Sequence, residues 1–334
     1  MSLFFPILQM NQVALTELLL LMEPCQLVSL SLCSKRVNKL VKIYGRKKSI
    51  IWKLHMIQGA RPRVTLWNIH RNVMLFYNVL EVSSISKLSP DIKEVVEISN
   101  HKVPVVSREK NFLITYWEDR ILGLKTIIDY VSDLFSIDVK CVNLKKESLW
   151  MIEWVKSRQA KPLEQVHVET NDIFNGEEYA SLIRSFHGTK SFGLFTNAPR
   201  NFRYTDQISN CKTVTISDGH WITIDSLLSM DCVDFSVRNA KLTNQEINRF
   251  VKNWLAGGSH RLEFLTITAA ESTLDREQVL GDGLEEIVEE IEEAQKYQRG
   301  RWSRMTTFEK CLLSNMLTAC EQYVKVLDEQ EQWK

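Results

Sequence analysis

The stretch Leu163-Glu-Gln-Val166-His-Val168-Glu-Thr-Asn171-Asp-Ile173 decides the fold. Val166 and Val168 alternate with polar residues, which is the spacing of a strand with one buried face. Leu163 leads in from one side, and Asn171 with Ile173 closes the frame on the other. The frame recurs in degraded form. Thr189-x-x-Phe192-x-Leu194-x-x-Asn197 keeps the strand pair and the Asn. Cys211-x-x-Val214-x-Ile216 and Cys232-x-x-Phe235-x-Val237 keep the strand alone. Val139-x-x-Val142-x-Leu144 and Leu262-x-x-Leu265-x-Ile267 frame the series. The anchors Val142, Val166, Phe192, Val214, Phe235 and Leu265 stand 24, 26, 22, 21 and 30 residues apart.

That frame is the leucine-rich-repeat strand pattern, whose period runs about 20–29 residues. Helical patterns fill the gaps, most clearly Thr243 to Ala256. Thr243 with Glu246 forms a capping box, and Leu242 with Ile247 stands at the staple positions. Ile247, Phe250, Val251, Trp254 and Leu255 share one face, and Gly257-Gly258 supplies a left-handed stop. Helix then strand, repeated, predicts a parallel sheet with helices on its outer side. The expected class is therefore α/β, with a degenerate leucine-rich-repeat-like solenoid over 136–275. His167, Glu169, Thr196, Ser217 and Arg238 are placed by geometry on its open face, as candidate target-binding residues.

Composition narrows the class further. The chain has 334 residues, 44% hydrophobic and 25% charged, which argues against a disordered or fibrous chain. Lys+Arg is 42 against Asp+Glu 41, so the overall field favours neither nucleic acid nor a membrane surface. The seven cysteines are widely spaced with no CxxC, which fits a reducing compartment. No signal peptide, membrane span or glycosylation sequon is read, so the expected location is cytoplasmic or nuclear.

The N-terminal segment is rich in leucine. Asn11 can cap a first helix carrying Val13, Leu15, Leu18, Leu19 and Met22, which Glu23-Pro24 ends. A second helix carries Leu27, Leu30 and Cys33, and Ser34 can cap a third from Lys35 to Ile43. About forty residues cannot bury this much leucine internally. Some of it must meet the rest of the chain or a partner. The basic run Lys35 to Lys48 reads either as a solvated helix face or as a localisation or nucleic-acid patch. The balanced charge of the rest of the chain favours the solvated face.

Phe5-Pro6-Ile7-Leu8, then Leu15, Leu18, Leu19, Met22-Glu23-Pro24, Leu27, Leu30 and Leu32-Cys33-Ser34-Lys35-Arg36 together resemble an F-box of the nematode kind. The family's opening Leu-Pro reads Met10-Asn11 here, and its aromatic after Lys-Arg reads Val37. Leu227 to Ile267 is similar to the F-box-associated (type 2) domain of the same proteins. The match includes Leu227-Leu228, Leu242-Thr243, Asn248, Phe250, Trp254, Gly257, Arg261-Leu262-Glu263 and Leu265. The resemblance implies a substrate-recognition subunit of an SCF-type cullin-RING ubiquitin ligase. Phe5, Pro6, Leu15, Leu18, Leu19, Leu27 and Leu30 would dock a Skp-family adaptor and, through it, cullin. The repeat domain would hold a target protein. This reading requires apolar side chains near the start to be left over once the chain has folded. The rival is a repeat-type interaction scaffold whose N-terminal helices merely cap the solenoid.

The expected organisation is an adaptor-binding segment at 1–45, a β-rich and helical connecting region at 46–135, the repeat domain at 136–275 and a C-terminal helical extension at 276–334. In that extension Phe308, Leu312, Met316, Ala319, Tyr323 and Leu327 recur at helical spacing, which predicts a helical hairpin. No phosphate loop, dinucleotide fingerprint, zinc-protease motif or nucleophile elbow is present. Asp218-Gly219-His220-Trp221 is the one local cluster with catalytic flavour, and a turn explains it as well. The expectation is no enzyme, no cofactor and no metal.

Overall fold

Side-chain caps decide where the first three helices begin. The computed structural model describes residues 10–48, 51–70, 73–91, 94–108, 112–208 and 211–269, with Val279. The Asn11 side chain accepts from the Ala14 amide (2.8 Å) and starts α1, Gln12–Leu21. Pro24 opens α2, Pro24–Ser31, where its missing N–H costs nothing. The Glu23 amide there donates to Gln26 Oε1 (2.9 Å). The Ser34 hydroxyl accepts from the Val37 amide (3.3 Å) at the head of α3, Lys35–Lys48. Val37, Val41 and Tyr44 turn inward on α3, while Arg36 and Lys39 face solvent. The basic run is thus a helix face, as amphipathic spacing requires.

The chain divides into two units, Met1–Glu164 and Gln165–Lys334. In the first, β1 (Lys53–Ile57), β2 (Arg63–His70) and β3 (Val73–Ser84) form an antiparallel meander. β4 (Val95–Ile98), β5 (His101–Ser107) and β6 (Leu113–Trp117) follow, then β7 (Val139–Leu144). The strand order is β7-β1-β2-β3-β6-β5-β4, with β1–β7 and β3–β6 parallel. The apolar runs around Trp52–Leu54, Val64–Trp67 and Val73–Tyr77 are strands or adjoin them. β4 and β5 carry the short valine-rich runs Val95-Val96-Glu97-Ile98 and Val103-Pro104-Val105-Val106, which the sequence reading passed over. The helix of this connecting region is α4, Arg120–Phe135, capped by the Asp119 carboxylate. It lies on β2, β3 and β6. A Cβ at Gly123 would come within 2.5 Å of the Trp117 ring, so only glycine lets α4 approach this closely. α5, Trp150–Arg158, follows β7.

The second unit repeats one theme. β8 (Gln165–Glu169), β9 (Ser191–Phe195), β10 (Thr213–Ile216), β11 (Asp234–Ala240) and β12 (Phe264–Ala269) lie side by side in chain order, all parallel. The sequence anchors pair in register: Val166 with Phe192, Phe192 with Val214, Val214 with Phe235, and Phe235 with Leu265. α6 (Gly176–Ser185), α7 (Ile224–Leu228) and α8 (Asn244–Leu255) make three of the crossovers. At α8 the foreseen box is present: the Thr243 amide donates to Glu246 Oε2 (2.8 Å), and the Glu246 amide donates to Thr243 Oγ1 (3.2 Å). Gly257 takes φ +87°, the left-handed stop. The crossover from β9 to β10 is an aromatic-bearing loop with no helix among its described residues. The region 276–334, expected to form a hairpin, lies outside the described residues apart from Val279. That residue is buried, and its carbonyl accepts from Asn248 Nδ2 (2.7 Å).

Candidate protein-docking surfaces

The first surface is the N-terminal helical segment. α2 packs on α3 and β3, and α3 packs on α4. Tyr130 of α4 joins them: its hydroxyl lies 2.7 Å from Ser31 Oγ and accepts from Asn38 Nδ2 (2.9 Å). Burial raises the Tyr130 pKa, with the two hydrogen bonds opposing it. Lys42 and Arg46 both reach Asp133 of α4. The helices are therefore tied to their own unit by polar as well as apolar contacts.

That packing sorts the expected adaptor-contact residues. Leu15, Leu19 and Leu27 lie in the chain's own core, at 7%, 2% and 0% exposure. Leu18 and Leu30 are half-buried, and Phe5 and Pro6 lie outside the described residues. Placing Leu15, Leu19 and Leu27 on an open face is therefore corrected. Leucines stand almost all round α1, so spacing alone could not say which face the core would take. The apolar side chains left over on α1 are Val13, 74% exposed, and Leu21, 81% exposed. They stand eight residues apart on one helix face, with Glu17 between them.

The second surface is the polar face of the parallel sheet. Phe192, Leu194, Val214, Ile216, Phe235 and Val237 are buried, so alternation sends their neighbours to the other face. There His167 meets the Phe195 ring edge-on, 5.7 Å between centroids, across Gly193. A Cβ at Gly193 would lie 2.6 Å from Phe195 and 3.1 Å from His167, so the glycine makes room for the ring pair. Burial holds the His167 imidazole below its usual pKa, with the Glu169 carboxylate opposing. Glu169 and Arg238 are exposed and Ser217 is half-buried. Thr196 is not on this face. It is 3% exposed, because Phe195 takes the outward position and the next residue turns in. Phe195, 41% exposed, is the functional candidate missed in sequence; the period-2 alternation through Phe192 and Leu194 could have found it.

Beside that face, Phe202, Tyr204 and Trp221 interlock over the buried Tyr179, with Phe202 4.8 Å from Tyr179 and 5.3 Å from Trp221. They floor a cleft of about 900 Å³ whose rim carries Arg200, Arg203 and Lys241. Asp218-Gly219-His220-Trp221 is a turn on its wall. The Asp218 carboxylate accepts from the Ala198 amide (2.9 Å), and His220 Nδ1 lies 3.1 Å from its other oxygen. His220 Nε2 faces the Pro199 carbonyl (3.2 Å), and Trp221 Nε1 donates to the Asp218 carbonyl (3.1 Å). Both ring nitrogens are engaged in holding loops together. A Cβ at Gly219 would come within 2.1 Å of Val237, so the turn needs glycine. No cluster of His, Cys, Asp or Glu able to hold a metal occurs among the described residues. None of their helices is long and apolar enough to cross a membrane.

Two families account for these regions. The F-box domain model matches residues 7–49, which contain the three helices, and the F-box associated model matches residues 204–267, which contain β10, β11 and the first part of β12. The chain thus carries an F-box match and an F-box-associated match, the pairing that the resemblance to nematode F-box proteins implied. It is similar to the Skn-1 dependent zygotic transcript 15 protein of Caenorhabditis elegans, 24% identical over 173 residues, 48% of this chain and 50% of that protein. A stretch of 80 residues is 30% identical to the E3 ubiquitin-protein ligase hecw-1 of the same organism, covering 24% of this chain and 6% of that protein. The chain thus spans about half the length of the first relative and a small part of the second. No solved structure matches it.

Proposed function

We propose that this chain is the substrate-recognition subunit of an SCF-type cullin-RING ubiquitin ligase. The pairing of an F-box with an F-box-associated domain in one chain carries the reading. Such domains are typical of non-catalytic adaptors, and the chain would act by holding a target near the ubiquitin-loaded partner, with no bond chemistry of its own. The adaptor, a Skp-family protein that links to cullin, would dock on α1 and α2 through Val13, Leu18, Leu21 and Leu30, together with Phe5 and Pro6. Each fully buried apolar side chain is worth roughly 1.5–3 kcal/mol, against an association cost of about 4–15 kcal/mol. Several anchors must therefore act together.

The target protein would bind the open sheet face through His167, Glu169, Phe195, Ser217 and Arg238. The in-register anchors support reading that sheet as a degenerate leucine-rich-repeat array, with functional spans of 1–45, 46–135, 136–275 and 276–334. The site of action would be the cytoplasm or nucleus.

Co-expression of the full chain with a Skp-family adaptor, followed by affinity capture, tests the reading. The native chain is expected to retain the adaptor. Val13→Asp with Leu21→Asp is expected to lose it with the thermal midpoint unchanged, since both residues are exposed. Failure of the native chain to capture adaptor sinks the ligase reading. The scaffold reading has one observation in its favour: Leu15, Leu19 and Leu27 are spent on the chain's own core.

A further inference from the structure

The first unit holds a cleft of about 380 Å³ near the carboxyl ends of the parallel neighbours β3 and β6. Glu81 pairs with Ile114 and Ser83 with Tyr116, so these four side chains share one sheet face and form its floor. Four cations stand around it: Arg61, Lys87, Arg108 and Arg120. None of them makes a side-chain hydrogen bond or ion pair among the described residues. Glu81 is the one carboxylate in the lining. It is 7% exposed, and its carboxylate has no protein partner among the described residues; its backbone carbonyl accepts from Thr115 Oγ1 (2.7 Å). Arg63 is its cross-strand neighbour, yet the two form no ion pair.

This arrangement has two unmet needs. The Glu81 carboxylate opens on the cleft with acceptor oxygens free to take an ammonium or hydroxyl. Four unpaired cations around one small cleft ask for more than a single negative charge. A carboxylate ligand brings one charge, whereas a phosphate monoester brings nearly two and three acceptor oxygens, which suit the arginine fork. The volume falls in the usual range for small-ligand sites, about 300–1,000 Å³. We propose that this cleft binds a phosphate monoester that also carries a hydrogen-bond donor. Arg61, Lys87, Arg108 and Arg120 take the phosphate, and Glu81 takes the donor and disfavours a bare phosphate. The proposal is independent of the ligase reading, because no F-box or F-box-associated residue takes part.

Calorimetric titration of the full chain tests it, with O-phosphoethanolamine, inorganic phosphate and ethanolamine as probes. O-phosphoethanolamine is expected to bind saturably, inorganic phosphate at least about tenfold more weakly, and ethanolamine not at all. Lys87→Glu with Arg120→Glu, both at exposed positions, is expected to abolish binding while leaving the thermal midpoint unchanged. Glu81→Gln is expected to bring the two phosphate affinities together. A lysine-flanked phosphoserine peptide separates the sources. Displacement of O-phosphoethanolamine assigns the group to a polypeptide, and failure to displace assigns it to a free ester. Absence of saturable binding to the folded native chain overturns the proposal, as does undiminished binding by the double charge-reversal variant.

Discussion

The N-terminal helices and the parallel strands of the second unit bury their apolar residues under different rules. In a strand, neighbours point to opposite faces, so Phe192 and Leu194 go in and Phe195 stays out without appeal to anything distant. In α1 leucines occupy nearly every bearing, and which of them become core depends on α3, the separate helix that α1 packs against. The largest expected effect exploits that difference. Leu27→Asp places an unpaired charge at a fully buried site and should cost more than about 3 kcal/mol, enough to unfold the first unit. Val13→Asp, fourteen residues earlier and exposed, should stay within about 0.5 kcal/mol. Chemical denaturation of both variants makes the comparison. Equal, small losses would mean that the helices are not packed on their own unit.

The same contrast explains what could be read from sequence. Register in the second unit follows directly from the apolar anchors, because slipping by one residue would turn every strand inside out. The α8 caps were equally legible, since Thr243, Glu246 and Gly257 act within one turn of chain. The burial of Leu15, Leu19 and Leu27 could not be read from spacing, because it is set by the packing of α1 on α3 and of α2 on α3 and β3. β4 and β5 went unread although Val95-Val96 and Val103 to Val106 are apolar, because each run is short and Pro104 interrupts the second. The cationic cleft was equally hidden: Arg61, Glu81, Lys87, Arg108 and Arg120 are spread over sixty residues and meet only through strand order.

Two smaller changes probe the strand rule where loops join it. Gly219→Ala drives a methyl group into Val237 and should cost about 1–3 kcal/mol, because the contact is between a turn and a buried strand residue with no room to retreat. Gly59→Ala, where an added Cβ meets nothing within 4 Å, is the matched control. Thr243→Ala removes the α8 capping box and should cost about 1 kcal/mol. Thermal unfolding ranks the three variants. A ranking with Thr243→Ala above Gly219→Ala would show that the turn can relax.

The smallest expected effect concerns charge. β1 and β7 are parallel neighbours in the first unit, and Glu164 bridges them: its carboxylate takes Lys53 Nζ at 2.7 Å and Lys140 Nζ at 3.1 Å. The hydrogen bond from Lys53 is the largest cause holding the Glu164 carboxyl down at about 2, with burial opposing and Lys140 assisting. A depressed folded pKa means that the ionised form is favoured by folding. The stabilisation is therefore complete above the unfolded value, about 4.3 for glutamate, and disappears as pH falls through about 2. Glu164→Gln should lower the thermal midpoint by about 1–3 °C at pH 7, and the gap should close between pH 4 and pH 2. Salt should narrow the gap at pH 7, since Lys53 is partly exposed. A gap unchanged at low pH would mean that Glu164 contributes by packing, as the anchors of the second unit do, and the contrast between the two units would be one of topology alone.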